Sequence, residues 1–287
     1  MHNHDHHDHH LEMGKKFLAG VALNLIFVTV EFFYGWKVHS ISLFADAWHN
    51  LSDVAGLIIS WIAFQMATKK PTAIYTYGYS KGTILASLAN CVLLFIAVYF
   101  MSYEALHRFA NPQMVESGTI MWVAGIGILV NTLTALLFVN SNELNNRAAF
   151  LHMAADALVS VAVVFGGWLM SMGSPEWIDP ALGLIICLVI LWGTINLFRS
   201  SLRLSLDGVP EGLDIEAVSK ELQAIPGLLK IDNLHIWAIS TTRNAFTATL
   251  EIDAKKGDDL NEIKDEVRSI LKRYRVQHTT LETLLVK

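Results

Sequence analysis

The chain has 287 residues, of which 53% are hydrophobic and 16% charged, and its mean hydropathy is +0.41. A globular domain is typically about 25% charged, so these figures describe a membrane protein carrying a smaller soluble part. A net charge of −5, a pI near 6.2 and the lack of a long basic run argue against a nucleic-acid partner. The two cysteines, Cys91 and Cys187, both lie in apolar stretches. That speaks against a disulfide framework or a thiolate metal site and for inert packing thiols.

The first ten residues hold His2, His4, His6, His7, His9 and His10, half of the chain's 12 histidines. This segment is too polar and acidic for a cleaved signal peptide, which needs a basic start and an apolar core. Residues 1–14 read as a disordered, weak collector of metal ions, with a neutral tail as the competing reading. Six apolar stretches follow, at about 15–36, 41–66, 82–107, 117–140, 148–171 and 178–200. Each is long enough for the roughly 30 Å hydrocarbon core of a bilayer. The connections are short, which implies antiparallel neighbours in one bundle.

With a cytoplasmic N-terminus, that side receives Lys15, Lys16, Lys69, Lys70, Lys81, Arg147, Arg199 and Arg203, and the other side receives Lys37 and Arg108. The basic excess marks the cytoplasmic face, and an even number of spans returns the C-terminus to it. Trp36, Trp122 and Trp177 fall near span ends, where indole favours the interface.

Two copies of one pattern interrupt these apolar stretches: His49 with Asp53 in the second, and His152 with Asp156 in the fifth. An ionisable group at the bilayer centre costs roughly 3 kcal/mol on insertion scales, so four of them need a reason. Residues four apart share a helix face, so two such helices set against each other converge two imidazoles and two carboxylates. That is a donor set for tetrahedral zinc. The plain alternative is that each polar group joins helices by hydrogen bonding. Three further polar residues of the spans bear on this site. Asp46, three before His49, suits a proton relay or outer ligand, or else solvation at the interface. Asn24 and Glu31, seven apart in the first span, suit the wall of a pathway or helix packing.

From Asp207 the composition becomes that of a small α/β domain. Asp214 can cap a helix that Pro226-Gly227 ends; Asn233–Ser240 and Ala245–Asp253 alternate like strands. Leu260, Ile263, Val267, Ile270 and Leu271 repeat at helical spacing before a β-rich run from Val276 to Val286. Helix, strand, strand, helix, strand is a truncated ferredoxin-like order, and a sheet this small often pairs with a second copy. The expected fold is therefore an α-helical membrane protein, a six-helix bundle over 15–206 with a C-terminal α/β domain over 207–287.

Several motifs, in order and on these elements, carry a family resemblance: Ser42-Leu43-Phe44-Ala45-Asp46-Ala47-Trp48-His49-Asn50-Leu51-Ser52-Asp53, Tyr77-Gly78-Tyr79, His152-Met153-Ala154-Ala155-Asp156 and Leu234-His235-Ile236-Trp237. From about residue 15 to its end the chain resembles the cation diffusion facilitators, in their bacterial zinc-exporting branch near the vertebrate vesicular zinc transporters. The resemblance implies that His49, Asp53, His152 and Asp156 form the transport site. It implies a homodimer in a bacterial inner membrane, both termini cytoplasmic, moving Zn²⁺ out in exchange for protons. Zinc needs neutral imidazole and deprotonated carboxylate, so binding metal expels protons and protonation expels metal. Histidine at position 49 implies zinc first, with cadmium as a second substrate.

The same resemblance makes His235, His278 and Glu282 candidates for a regulatory zinc site at the tail interface. It does not carry over completely, since Thr249 stands where a relative often has histidine, and a structural histidine beside Trp237 is the rival reading. It also places Lys81 and Asp207 where relatives have a charge contact between the third span and the tail; a solvated pair is the alternative. An intramembrane metalloenzyme would need an open coordination position, and no His-Glu-x-x-His motif occurs. No Gly-x-x-x-x-Gly-Lys loop occurs either, which disfavours ATP as a partner.

Overall fold

In the computed structural model the backbone is described for residues 5–111, 113–136, 144–173, 175–253 and 260–286, with side chains from Val21 onward except 57, 60, 64 and 144–152. Six long helices come first: α1 (Asp5–Lys37), α2 (Ile41–Ala67), α3 (Gly82–Ala110), α4 (Ser117–Leu136), α5 (Leu144–Ser171) and α6 (Ile178–Ser205). Then follow α7 (Ile215–Gln223), β1 (Leu228–Ala238), β2 (Asn244–Asp253), α8 (Leu260–Arg273) and β3 (Val276–Val286). Among the described residues five helices, α2 to α6, are long and apolar enough to cross a membrane.

The expected spans agree with these helices to within a few residues at most ends. The exception is the start of α1, at Asp5 instead of about residue 15. Residues 5–14, expected to be disordered, are helical: Asp5 and Asp8 suit a helix N-terminus, and nothing before Lys15 breaks the helix. Residues 1–4, with His2 and His4, and residues 137–140 of the expected fourth span lie outside the described residues.

The chain divides into two units, residues 1–57 with 92–194 and residues 58–91 with 195–287. In the first, α1 closes in a Schellman-type turn. Ser40 N donates to Gly35 O (3.0 Å) and His39 N to Trp36 O (3.4 Å), with His39 at φ 55°. The turn feeds α2 almost without a linker. The core of this unit joins Leu43 and Ala45 of α2 to Val98 and Met101 of α3, Ile120 and Ala124 of α4, Val163 of α5 and Cys187 of α6. Gly127 lets three helices approach: a Cβ there would lie 2.7 Å from Phe27 Cζ of α1 and 3.0 Å from Ser160 Oγ of α5.

In the second unit the sheet order is β1-β2-β3, with β1 antiparallel to β2 and β2 parallel to β3, the last two being joined through α8. Asp214 caps α7, accepting from Glu216 N at 2.9 Å. Val218 and Leu222 of α7, Phe246, Ala248, Leu250 and Ile252 of β2, and Ile263, Val267 and Leu271 of α8 form one buried cluster. The β2 residues are those expected on one face from their alternation. Strand β1 begins at Leu228, five residues before Asn233. A bulge between Asp232 and His235, with Asn233 at φ 50°, breaks the alternation and hides the earlier part of the strand.

Candidate metal centre

Helix α2 projects His49 and Asp53 from one face, since four residues advance the helix by just over one turn. Asp156 comes to the same point from α5. His49 Nε2 lies 3.2 Å from Asp156 Oδ1 and 3.8 Å from Asp53 Oδ2, and one ligand atom from each of the three lies within 4.8 Å of the others. Asp156 is buried, with a side chain 3% exposed, whereas Asp53 keeps 25% and His49 17%. Donors about 2.0–2.1 Å from a tetrahedral ion stand about 3.3–3.4 Å apart. The His49–Asp156 edge is thus already at the spacing of an ion's coordination shell, and the other two edges are within 4.8 Å. Among the described residues this is the one group of three His, Cys, Asp or Glu with ligand atoms so close. His152 lies on α5 one turn before Asp156; its side chain is outside the described residues.

A layer of buried polar groups adjoins the three. Glu31 of α1 and Asp46 of α2 are both fully buried and close enough to interact electrostatically. Asn50 Nδ2 donates to Glu31 Oε2 at 3.1 Å, and Ser160 Oγ of α5, one turn beyond Asp156, donates to Asp46 Oδ2 at 3.3 Å. Asp46 is therefore not a solvated interfacial residue. Asn24 points toward α5, its Nδ2 lying 3.8 Å from Met153 Sδ. The layer is only partly satisfied, since Asn24 Oδ1, Glu31 Oε1 and Asp46 Oδ1 have no hydrogen-bond partner among the described residues, which is costly in an apolar surrounding.

Comparison with known proteins finds matches along nearly the whole chain. Residues 17–204 match the cation efflux transmembrane domain, and residues 210–282 match the cytoplasmic domain of cation efflux proteins. The chain belongs to the cation efflux family. It is 30% identical to the cadmium, cobalt and zinc/H(+)-K(+) antiporter of Bacillus subtilis (strain 168), over 96% of this chain and 91% of that protein. It is 29% identical to the metal cation efflux system protein CzcD of Cupriavidus metallidurans, over 96% and 88%. It is 28% identical to the zinc transporter ZitB of Escherichia coli (strain K12), over 98% and 91%. The fold of this cation efflux protein is the expected one: apolar membrane-spanning helices followed by the family's cytoplasmic α/β domain.

The tail residues singled out from the sequence are arranged differently from the intramembrane ones. Pairing puts Asp232, Thr249 and Glu282 in one row across the sheet, His235, Thr247 and Thr280 in the next, and Trp237, Ala245 and His278 in a third. His235, His278 and Glu282 thus share a sheet face but occupy three rows. Rows lie roughly 6.5 Å apart and β1 and β3 roughly 9.5 Å apart, so the three cannot chelate one ion within a single chain. Glu282 Oε2 instead accepts from Thr249 Oγ1 (2.8 Å), and the His278 ring meets Tyr77 edge-on at 5.3 Å. His235 is exposed, which removes the buried structural histidine as a reading.

Lys81 Nζ donates to Asp207 Oδ1 at 2.6 Å, with both side chains about half exposed. Asp207 takes φ 59° in the turn closing α6, where Gly208 N reaches Arg203 O at 2.8 Å; Asp tolerates this left-handed conformation better than most residues. The same junction holds Arg243, bonded to Ser80 Oγ, and Thr241 N, which donates to Thr83 Oγ1 at 3.1 Å.

Reasoning from sequence passed over Asn50, Ser160 and Asp179. Asp179, an acid in the first turn of an apolar span, carried the same signal of costly charge that marked His49. Asn131 of α4 is also fully buried, and neither of its amide atoms has a hydrogen-bond partner among the described residues.

Proposed function

We propose that this protein exports Zn²⁺, with Cd²⁺ as a second substrate, from the cytoplasm in exchange for protons. The observation that carries the reading is the approach of His49, Asp53 and Asp156, with ligand atoms within 4.8 Å of one another, inside apolar helices. His152, one turn from Asp156, is the fourth ligand in this reading and completes a His₂Asp₂ set. Three of the similar proteins carry zinc, cadmium, cobalt or metal cation transport in their names, which supports the substrate class.

Ion exchange follows from the donors. An imidazole lone pair and a carboxylate accept either a proton or a metal, so protons entering from one side displace the ion bound from the other. Glu31 and Asp46, buried beside the site, form the proton relay in this scheme, and Asn24 lines the pathway. A site exposed to one side at a time needs only rocking of packed helices about it. The basic bias places both termini in the cytoplasm, and the membrane is the bacterial inner membrane. Residues 1–14 are the metal-collecting segment, 15–206 the membrane domain and 207–287 the metal-sensing, dimerising tail.

The chain acts as a homodimer in this proposal. A regulatory zinc site in the tail requires ligands from a second copy, because His235, His278 and Glu282 of one chain stand in separate rows. Lys81 and Asp207 tie α3 to the tail. The test is metal flux into proteoliposomes under an imposed pH gradient, comparing Zn²⁺, Cd²⁺, Co²⁺ and Mn²⁺ for the native protein and His49→Asp. Zinc-dependent proton movement is expected, with Mn²⁺ or Co²⁺ gaining ground in the variant. Zinc flux indifferent to the pH gradient would refute proton exchange.

A further inference from the structure

The N-terminal end of α2, the helix that carries His49 and Asp53, is held by a carboxylate from another span. Asp179, in the first turn of α6, is 1% exposed. Its Oδ2 accepts from Ile41 N at 2.6 Å, and its Oδ1 accepts from Ser42 N at 3.2 Å, from Ser40 Oγ at 2.6 Å and from Ser42 Oγ at 2.5 Å.

A helix begins with four backbone N–H groups that lack partners within it, and in a membrane none can be left to lipid. At α2 all four are satisfied. Ser40 N turns back to Gly35 O, Leu43 N bonds Ser40 Oγ at 3.2 Å, and the middle two belong to Asp179. The negative charge also faces the positive end of the α2 dipole. A second contact reinforces the first. One turn along α6, a Cβ on Gly183 would lie 2.5 Å from Ile41 Cγ2, so α2 is seated directly on the α6 backbone. From the other side Arg108 of α3 donates to His39 O, closing the corner before α2.

We propose that Asp179 is a positioning residue for metal transport, fixing the height and rotation of α2 against the bundle so that His49 and Asp53 meet Asp156. The inference rests on the transport reading of that trio. Ile41 is eight residues from His49, about 12 Å along a stiff helix, so a shift or twist at the clamp reaches the ligands with little loss. A site whose donors stand 3.2 and 3.8 Å apart tolerates little displacement before one of them leaves coordination range. The clamp needs a carboxylate rather than any polar group, because two backbone donors and two hydroxyls converge on two oxygens.

The test is zinc uptake kinetics in proteoliposomes, normalised to folded protein, for Asp179→Ala, Asp179→Glu, Gly183→Ala and His49→Ala. Asp179→Ala is expected to raise the apparent KM for Zn²⁺ about tenfold while changing the maximal rate less than threefold. Gly183→Ala, which lifts α2 from α6 without touching a hydrogen bond, should move KM in the same direction, and Asp179→Glu should recover most of the loss. A purely structural role would lower the amount of folded protein and leave KM alone. If Asp179→Ala does not fold, the KM of Gly183→Ala decides. A KM within twofold of the native value in the folded variants, with uptake lost in His49→Ala, overturns the clamp and leaves the transport site standing. Native uptake in His49→Ala overturns the transport site itself.

Discussion

Removing the imidazole of His49 is the sharpest single perturbation of the proposed site, because its Nε2 is the atom common to both short distances, 3.2 Å to Asp156 and 3.8 Å to Asp53. A tetrahedral ion requires edges of about 3.3–3.4 Å, so of the two edges that His49 makes one is already in place and the other needs a closure of about 0.4–0.5 Å, within the reach of a side-chain rotation. Apparent binding energies of closed four-ligand zinc sites are about 10–16 kcal/mol, which averages to about 2.5–4 kcal/mol for each ligand. His49→Ala should then weaken zinc binding by roughly 10²- to 10³-fold, and Asp156→Asn, which keeps shape and loses charge, by a comparable factor. Calorimetric titration of the detergent-solubilised protein with Zn²⁺ measures this, and uptake in proteoliposomes should fall in parallel. Protons compete for the same donors, so native affinity should also decline as the pH is lowered. Zinc affinity within threefold of native in His49→Ala would refute the argument, because no other group of three such ligands is available among the described residues.

Three further outcomes are expected. Lys81 and Asp207 touch at 2.6 Å but are about half exposed, so a double-mutant cycle on thermal unfolding should give a coupling of only about 0.2–1 kcal/mol that shrinks with added salt. A larger, salt-insensitive coupling would mean the pair is buried by a partner. Gly127→Val should drive a methyl into Phe27 and Ser160, destabilising the protein by about 1–3 kcal/mol and lowering its melting temperature in detergent; an unchanged melt would show that α1 and α5 can retreat freely. Deleting residues 1–10 should leave the maximal zinc flux intact and change only its dependence on low zinc concentrations, and loss of all flux would contradict their role as a collector.

What the sequence disclosed and what it withheld follow from the same physics. Span ends were legible because they are marked by hydropathy and by charges such as Lys37 and Lys81. The tail strands were legible because Phe246, Ala248, Leu250 and Ile252 alternate along a half-buried surface. The first residues of β1 were not, because a bulge at Asn233 shifts the phase of that alternation. Nor was the helical start of α1, because a polar decapeptide is judged by composition while a helix already under way can extend through it.

The site divides in the same manner. His49, Asp53 and Asp156 stood out because charged groups in apolar helices are costly and because their spacing is periodic, both local properties of the chain. Which neighbours steady them is a property of the assembled bundle. Asp179 lies 126 positions after Asp53, and only packing turns it toward Ile41 and Ser42. Glu31 could be assigned to a pathway from its spacing with Asn24, but that spacing does not disclose its hydrogen-bond donor, Asn50, on a different helix. The tail is the opposite case. His235, His278 and Glu282 were credible ligands by type, but strand register fixes them in separate rows. A ligand set is therefore best trusted when one element supplies two of its members at the element's own period, as α2 does, since the spacing then survives whatever the rest of the fold does.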